Sequence, residues 1–153
     1  MNGTRHLKLL LADDDKPIAN IYKTGLRRYF VNEEGSPLTE LEGELFGEEK
    51  ASGTSASVTV CSQGAKAVEL AEDAMRCGEP FDVIILDIRM PPGISGIDAA
   101  EKIRSFDQGV PIIFVSGYSD VTITDLQERV PPSDLMCYLE KPIQLAQLAD
   151  RIR

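Results

Sequence analysis

The chain has 153 residues, of which 42% are hydrophobic and 27% charged, with a formal charge of −9 at pH 7. That length suits one ordinary domain with its own core, and the acidic balance argues against a nucleic-acid binder, which needs clustered Lys and Arg, while suiting a partner with basic patches. No apolar run approaches the eighteen or so residues of a membrane span, and the start MNGTRHLKLLLADDD lacks a signal-peptide cleavage pattern, so no membrane insertion is expected and the expected location is cytoplasmic.

The first apolar run, HLKLLLA, ends in three consecutive acids, Asp13, Asp14 and Asp15. Asp15 is placed to cap a helix whose first turn contains Pro17, with helical spacing from about Lys16 to Phe30. Roughly 25 residues then precede the next strand, where such connections usually need 2 to 6. This stretch, VNEEGSPLTELEGELFGEEKASGTSA at about 31–56, is an acidic insertion with seven glutamates. Ser36 and Pro37 can start a short helix there with Leu38, Leu41 and Leu45 on one face, and the ends read as mobile. It reads as a solvated excursion, with a partner-binding or dimer element as the alternative. Helix-to-strand connections lie away from the strand C-termini where such folds bind ligands.

SVTVC reads as the second strand, and in a helix expected from Gly64 to Cys77 the residues Ala67, Val68, Ala71 and Met75 share a face toward the sheet. FDVIILD and PIIFVS, nearly unbroken Val, Ile, Leu and Phe, read as central strands covered on both sides, joined through a helix from Ser95 to Phe106. A helix from Thr122 to Val130, the run LMCYLE and a last helix after Pro142 complete the pattern of an α/β parallel sheet. Cys61, Cys77 and Cys137 are too few and too far apart for a disulfide framework or metal spacing, and inert, buried or half-buried thiols are expected. His6, the only histidine, is expected just before the first strand, and no Gly-rich nucleotide loop occurs.

In a parallel sheet the strand C-termini share one edge, so Asp13, Asp14, Asp87, Ser116 and Lys141 are expected to converge. Crowded carboxylates repel unless a cation shares the site, and Mg²⁺ takes a few carboxylate oxygens while keeping waters and phosphate oxygens. With Lys141 as a second positive charge and Ser116 as a hydroxyl donor, the set describes a phosphoryl pocket with Asp87 available as nucleophile. Pro142 keeps Lys141 out of the helical region and helps aim its side chain.

LLLADDD, VIILDIRMP, IIFVSG and YLEKP resemble, in order and spacing, the hallmarks of the receiver domain of bacterial two-component response regulators. The resemblance covers nearly the whole chain apart from the acidic insertion. It implies a flavodoxin-like, doubly wound five-stranded sheet of order 2-1-3-4-5 with helices on both faces, an order for which receiver proteins are themselves a standard example. It further implies that Asp87 is the phosphoacceptor and that Asp13, Asp14 and Asp87 hold Mg²⁺, or Mn²⁺ in its place, together with the backbone carbonyl of Arg89. By the same resemblance Ser116 and Lys141 contact the phosphoryl oxygens, Ser116 and Tyr138 form the switch, and Arg89 and Tyr118 tune hydrolysis, their bulk implying a slow loss of the phosphoryl group.

The implied partners are a histidine kinase or phosphotransfer protein and a downstream output protein or domain, with a homodimer as a further option. The chain would catalyse only its own phosphorylation and dephosphorylation. MPPGISG carries one residue more than the family's usual loop, and the span from Ser116 to Lys141 runs longer than usual, through VPPSDL. With no effector domain before Arg153, a stand-alone receiver or one excised from a hybrid sensor kinase is expected. Two other readings stand beside this one. One is a receiver-like interaction module independent of phosphorylation. The other is an aspartate-nucleophile phosphatase of the haloacid dehalogenase type using Asp13 and Asp15, against which Pro17 stands where that family carries Thr or Val.

Overall fold

Strands as apolar as VIILD and IIFVS cannot leave either face in water, so the chain has to cover both. In the computed structural model, which describes residues 5–32, 54–117, 122–141 and 143–152, helices do so. The strands are β1 (Arg5–Ala12), β2 (Thr54–Cys61), β3 (Val83–Asp87), β4 (Ile112–Ser116) and β5 (Met136–Glu140). They pair only in parallel, in the order β2-β1-β3-β4-β5. The helices are α1 (Lys16–Asn32), α2 (Gly64–Arg76), α3 (Gly96–Arg104), α4 (Ile123–Arg129) and α5 (Leu145–Ile152), with a 3₁₀ turn at Ser133–Leu135 before β5. This is the expected doubly wound sheet.

Alternation along the strands divides the core in two. Leu7, Leu9, Leu11, Val83, Ile85, Ile113, Val115 and Leu139 face Ala19, Leu26 and Phe30 of α1 and Leu148 and Ile152 of α5. Leu10, Ala12, Ile84, Leu86, Ile112 and Phe114 face Ala67 and Ala71 of α2, Ile97 and Ile103 of α3, and Leu126 of α4. Every residue of β3 and β4 is buried. At roughly 1.5–3 kcal/mol per large aliphatic side chain, these strands anchor the centre, while β2 and β5 form the edges.

The period-two rule also aims the acids. Asp13, Asp87 and Lys141 each lie two residues beyond a residue of the α1/α5 cluster, respectively Leu11, Ile85 and Leu139. The ladders extend just far enough: the Asp13 N–H donates to the Cys61 carbonyl at 3.0 Å and the Lys141 N–H to the Ser116 carbonyl at 2.9 Å.

α1, α3 and α4 start where side chains satisfy free N–H groups. Asp15 Oδ1 accepts from Ile18 at 3.2 Å, Ser95 Oγ from Asp98 at 3.1 Å, and Thr122 with Asp125 forms a reciprocal capping box. Thr122→Ala is expected to cost about 1 kcal/mol, seen as a lower urea midpoint with unchanged slope. An unchanged midpoint would mean that other contacts hold the start of α4.

Some expectations are corrected. Met75 is 37% exposed, because the stripe through Ala67, Leu70 and Ala71 continues to the half-buried Ala74 and leaves Met75 to solvent. Cys77, just past α2, is exposed, whereas Cys61 and Cys137 are half-buried and burial raises their thiol pKa values; all three are free. His6 lies within β1, its ring nitrogens 2.7 and 3.3 Å from the hydroxyls of Ser55 and Ser57 on β2. α1 runs through Asn32 and β2 begins at Thr54, so both ends of the stretch at 31–56 are regular. Residues 33–53, including the short helix expected from Ser36, lie outside the described residues. Among the described residues no helix is long and apolar enough to cross a membrane.

Candidate functional site

At the C-terminal edge of the sheet three chain segments meet. Asp13 follows β1, and its Oδ1 accepts from the Asp15 N–H at 2.9 Å. Asp87 closes β3, and its Oδ1 accepts from the Arg89 N–H at 3.4 Å. Lys141 follows β5 and reaches across β4, placing Nζ 3.1 Å from Asp13 Oδ2 and 3.3 Å from Asp87 Oδ2. Gly117, after β4, adds no side chain to that path; a Cβ there would lie 3.9 Å from the Cβ of Lys141. Behind Asp87, a Cβ on Gly96 would collide with the Asp87 carbonyl oxygen, so α3 starts directly against the backbone of the acid.

The two carboxylates are only 2% and 6% exposed. Burial, reinforced by the negative charge of Asp13, raises the Asp87 carboxyl to about 6, with Lys141 pulling in the opposite direction. Burial alone would lower the Lys141 ammonium, but its hydrogen bond to Asp13 and the charges of Asp13 and Asp87 outweigh that and hold it above the usual lysine range. The raised Asp87 carboxyl reflects burial first, and then a negative charge on Asp13 that Lys141 does not fully offset. Exposed Asp14 adds more: carboxylate oxygens of Asp13, Asp14 and Asp87 lie within 4.8 Å of one another. An all-oxygen, acidic set of this kind fits a hard divalent cation such as Mg²⁺ or Mn²⁺.

Ser116 is buried at the end of β4. Tyr138 is half-buried in β5, opposite Phe114 in the register, and packs on the α2/α3/α4 side. The Arg89 side chain is exposed, and Tyr118 and Pro142 lie outside the described residues. Asp15 caps α1 and is not among the clustered acids, so Asp13 and Asp15 do not form the acidic pair of the phosphatase reading. A cleft of about 300 Å³ opens beside Asp13, lined by Lys16, Asn20, Val60, Cys61 and Ser62.

Sequence reasoning missed Tyr22. It lies on the α1 stripe with Ala19 and Leu26, and its phenol, raised by burial, senses the charges of Lys141, Asp13 and Asp87. The i, i+3, i+4 spacing of 19, 22 and 26 was the available signal.

A family model described as the response regulator receiver domain matches residues 48–153. The chain belongs to this family. As a receiver domain it is a regulatory module of two-component signalling. The match begins after β1, so Asp13 and Asp14 lie ahead of it, yet Lys141 ties Asp13 to the matched Asp87. Over 81 residues the receiver domain is 32% identical to the C4-dicarboxylate transport transcriptional regulatory protein DctD of Pseudomonas aeruginosa, covering 53% of this chain and 17% of that one. Over 93 residues it is 33% identical to the signal transduction histidine-protein kinase BarA of Escherichia coli K12, covering 60% of this chain and 9% of that one. The chain thus spans a small part of either protein. Among solved structures, a CheY-like receiver domain protein from Methanospirillum hungatei JF-1 superposes with a TM-score of 0.64 at 21% identity, covering 95% of this chain and 90% of the other. A response regulator receiver protein from Sinorhizobium medicae WSM419 gives 0.63 at 24%, covering 96% and 94%. At such identities these two share the fold.

Proposed function

We propose that this receiver domain accepts a phosphoryl group on Asp87 from the phosphohistidine of a histidine kinase or phosphotransfer protein, and that the modified domain switches a partner-binding face. The observation that carries this reading is Lys141 Nζ standing 3.1 and 3.3 Å from two buried carboxylates delivered by separate strands. A carboxylate oxygen of Asp87 attacks phosphorus, the N–P bond to imidazole breaks, and an O–P bond forms, leaving an acyl phosphate. Asp13, Asp14, Asp87 and the Arg89 carbonyl are the groups that would hold Mg²⁺, which when bound supplies charge neutralisation for the phosphoryl oxygens. Lys141, now shared between Asp13 and Asp87, shifts toward the incoming oxygens, and the Ser116 hydroxyl donates to them. Tyr138 then follows Ser116, biasing an equilibrium between two arrangements of the face made by α4, β5 and α5.

The relatives support the partners: one is named a histidine-protein kinase, fitting a kinase as donor, and another a transcriptional regulatory protein, fitting an output protein or domain. The charge of −9 favours a partner with basic patches over direct nucleic-acid contact. The test is intact mass after incubation with Mg²⁺ and acetyl phosphate. The wild type is expected to gain one phosphoryl group, with no gain when Mg²⁺ is withheld or in Asp87→Asn. A folded wild type that gains nothing would refute the reading and leave the phosphorylation-independent interaction module.

A further inference from the structure

We propose that Gln63 is a positioning residue, holding the loop after Asp87, and with it the Arg89 backbone, in the arrangement that receives the divalent cation; this rests on the metal reading above. Gln63 occupies the N-cap position of α2 with extended backbone angles (φ −140°, ψ 146°), yet its side chain makes no capping bond. Both ends of its amide reach instead across to the β3–α3 loop. Nε2 donates to the Pro91 carbonyl at 3.1 Å, and Oε1 accepts from the Gly93 N–H at 3.1 Å.

The loop needs such a tether. Pro91 and Pro92 carry no N–H, so after Met90 the first backbone donor is Gly93, and that donor is the one Gln63 holds. At its near end the loop is tied by the Arg89 N–H to Asp87 Oδ1, and at its far end by the Gly96 N–H to the Ile88 carbonyl at 2.8 Å. Arg89 therefore sits between Asp87 and the segment that Gln63 grips. The fit is close: a Cβ on Gly93 would come 2.5 Å from Gln63 Oε1, and a Cβ on Gly64 would come 2.9 Å from Ile94 Cγ1. Groups that orient metal ligands typically change metal affinity 10- to 100-fold when removed.

The test is calorimetric titration of Mg²⁺ into the metal-free protein, with amide hydrogen exchange at position 93. Gln63→Ala is expected to raise the Mg²⁺ Kd about tenfold and to speed exchange of the Gly93 amide. Gly93→Ala attacks the same tether from the other side. Gly93 is not among the glycines with positive φ, and its new methyl would displace only the flexible end of Gln63, so this variant serves if Gln63→Ala folds poorly. The double variant should bind Mg²⁺ no more weakly than either single one, because all three lack one shared tether. A folded variant with lowered Tm but unchanged Kd would make Gln63 merely structural and overturn the inference, as would additive losses in the double variant. A wild type that binds no Mg²⁺ would instead sink the metal reading, and the inference with it.

Discussion

Near neutral pH and without divalent cations, Asp87→Asn is expected to be more stable than the wild type by about 1–2 kcal/mol. The folded-state carboxyl of Asp87 titrates at about 6, above the roughly 3.9 of an unfolded aspartate. The native state therefore binds this proton more tightly than the unfolded chain does. The stability that the proton contributes is fully present below about pH 4 and is lost as pH rises through about 6. At pH 7.5 the wild type carries a buried charge whose repulsion by Asp13 is only partly offset by Lys141; the isosteric amide does not. The full shift would correspond to about 3 kcal/mol, reduced in the variant because Asn gives up the attraction to Lys141. Urea unfolding at pH 7.5 and at pH 5 checks this: the advantage should shrink at the lower pH, where the wild-type carboxyl is itself protonated. On the metal reading, Mg²⁺ should narrow the gap at pH 7.5 by stabilising the wild type. An Asn variant less stable than the wild type at pH 7.5 would show that attraction to Lys141 outweighs burial and repulsion.

What could be read in advance follows from how local each cause is. The central strands announced themselves because burial on both faces leaves an unbroken apolar run, and Asp87 and Asp13 were visible because each ends such a run. The first residues of β2, Thr54–Ala56, gave no such signal, since an edge strand tolerates Thr and Ser, and only pairing with Arg5–Leu7 makes them a strand. Gln63 and Arg104 were illegible for a different reason. Arg104 is 6% exposed, and its guanidinium donates to the carbonyls of Asp107 and Val110 and, 31 residues away, of Leu135. Side chains that satisfy distant backbone groups carry no periodicity; their partners exist only once the sheet has brought the loops together. The 2-1-3-4-5 order likewise came from family resemblance, because alternation of strands and helices is compatible with several orders.

The opposite sign is expected for Lys141→Met. Lys141 Nζ is the cation in direct contact with both Asp13 and Asp87, whose side chains are 3% and 8% exposed. Removing one partner from a buried charge cluster typically costs 3–5 kcal/mol, and the 21% exposure of the Lys141 side chain brings the expected loss to about 2 kcal/mol at pH 7.5. Met conserves most of the apolar stem, so the loss reports the charge. Without the ammonium the Asp87 carboxyl moves further up, so protonation relieves the repulsion sooner and the loss should diminish at pH 5. Because the penalty comes from facing carboxylates, it should also be smaller in an Asp87→Asn background, where a single buried carboxylate remains. That non-additivity in a double-mutant cycle is what separates a charge effect from lost packing. Equal losses at both pH values and in both backgrounds would assign Lys141 a packing role only. On the phosphoacceptor reading the same variant should label with acetyl phosphate far more slowly than the wild type even at saturating Mg²⁺, because the Lys141 charge that assists transfer is gone.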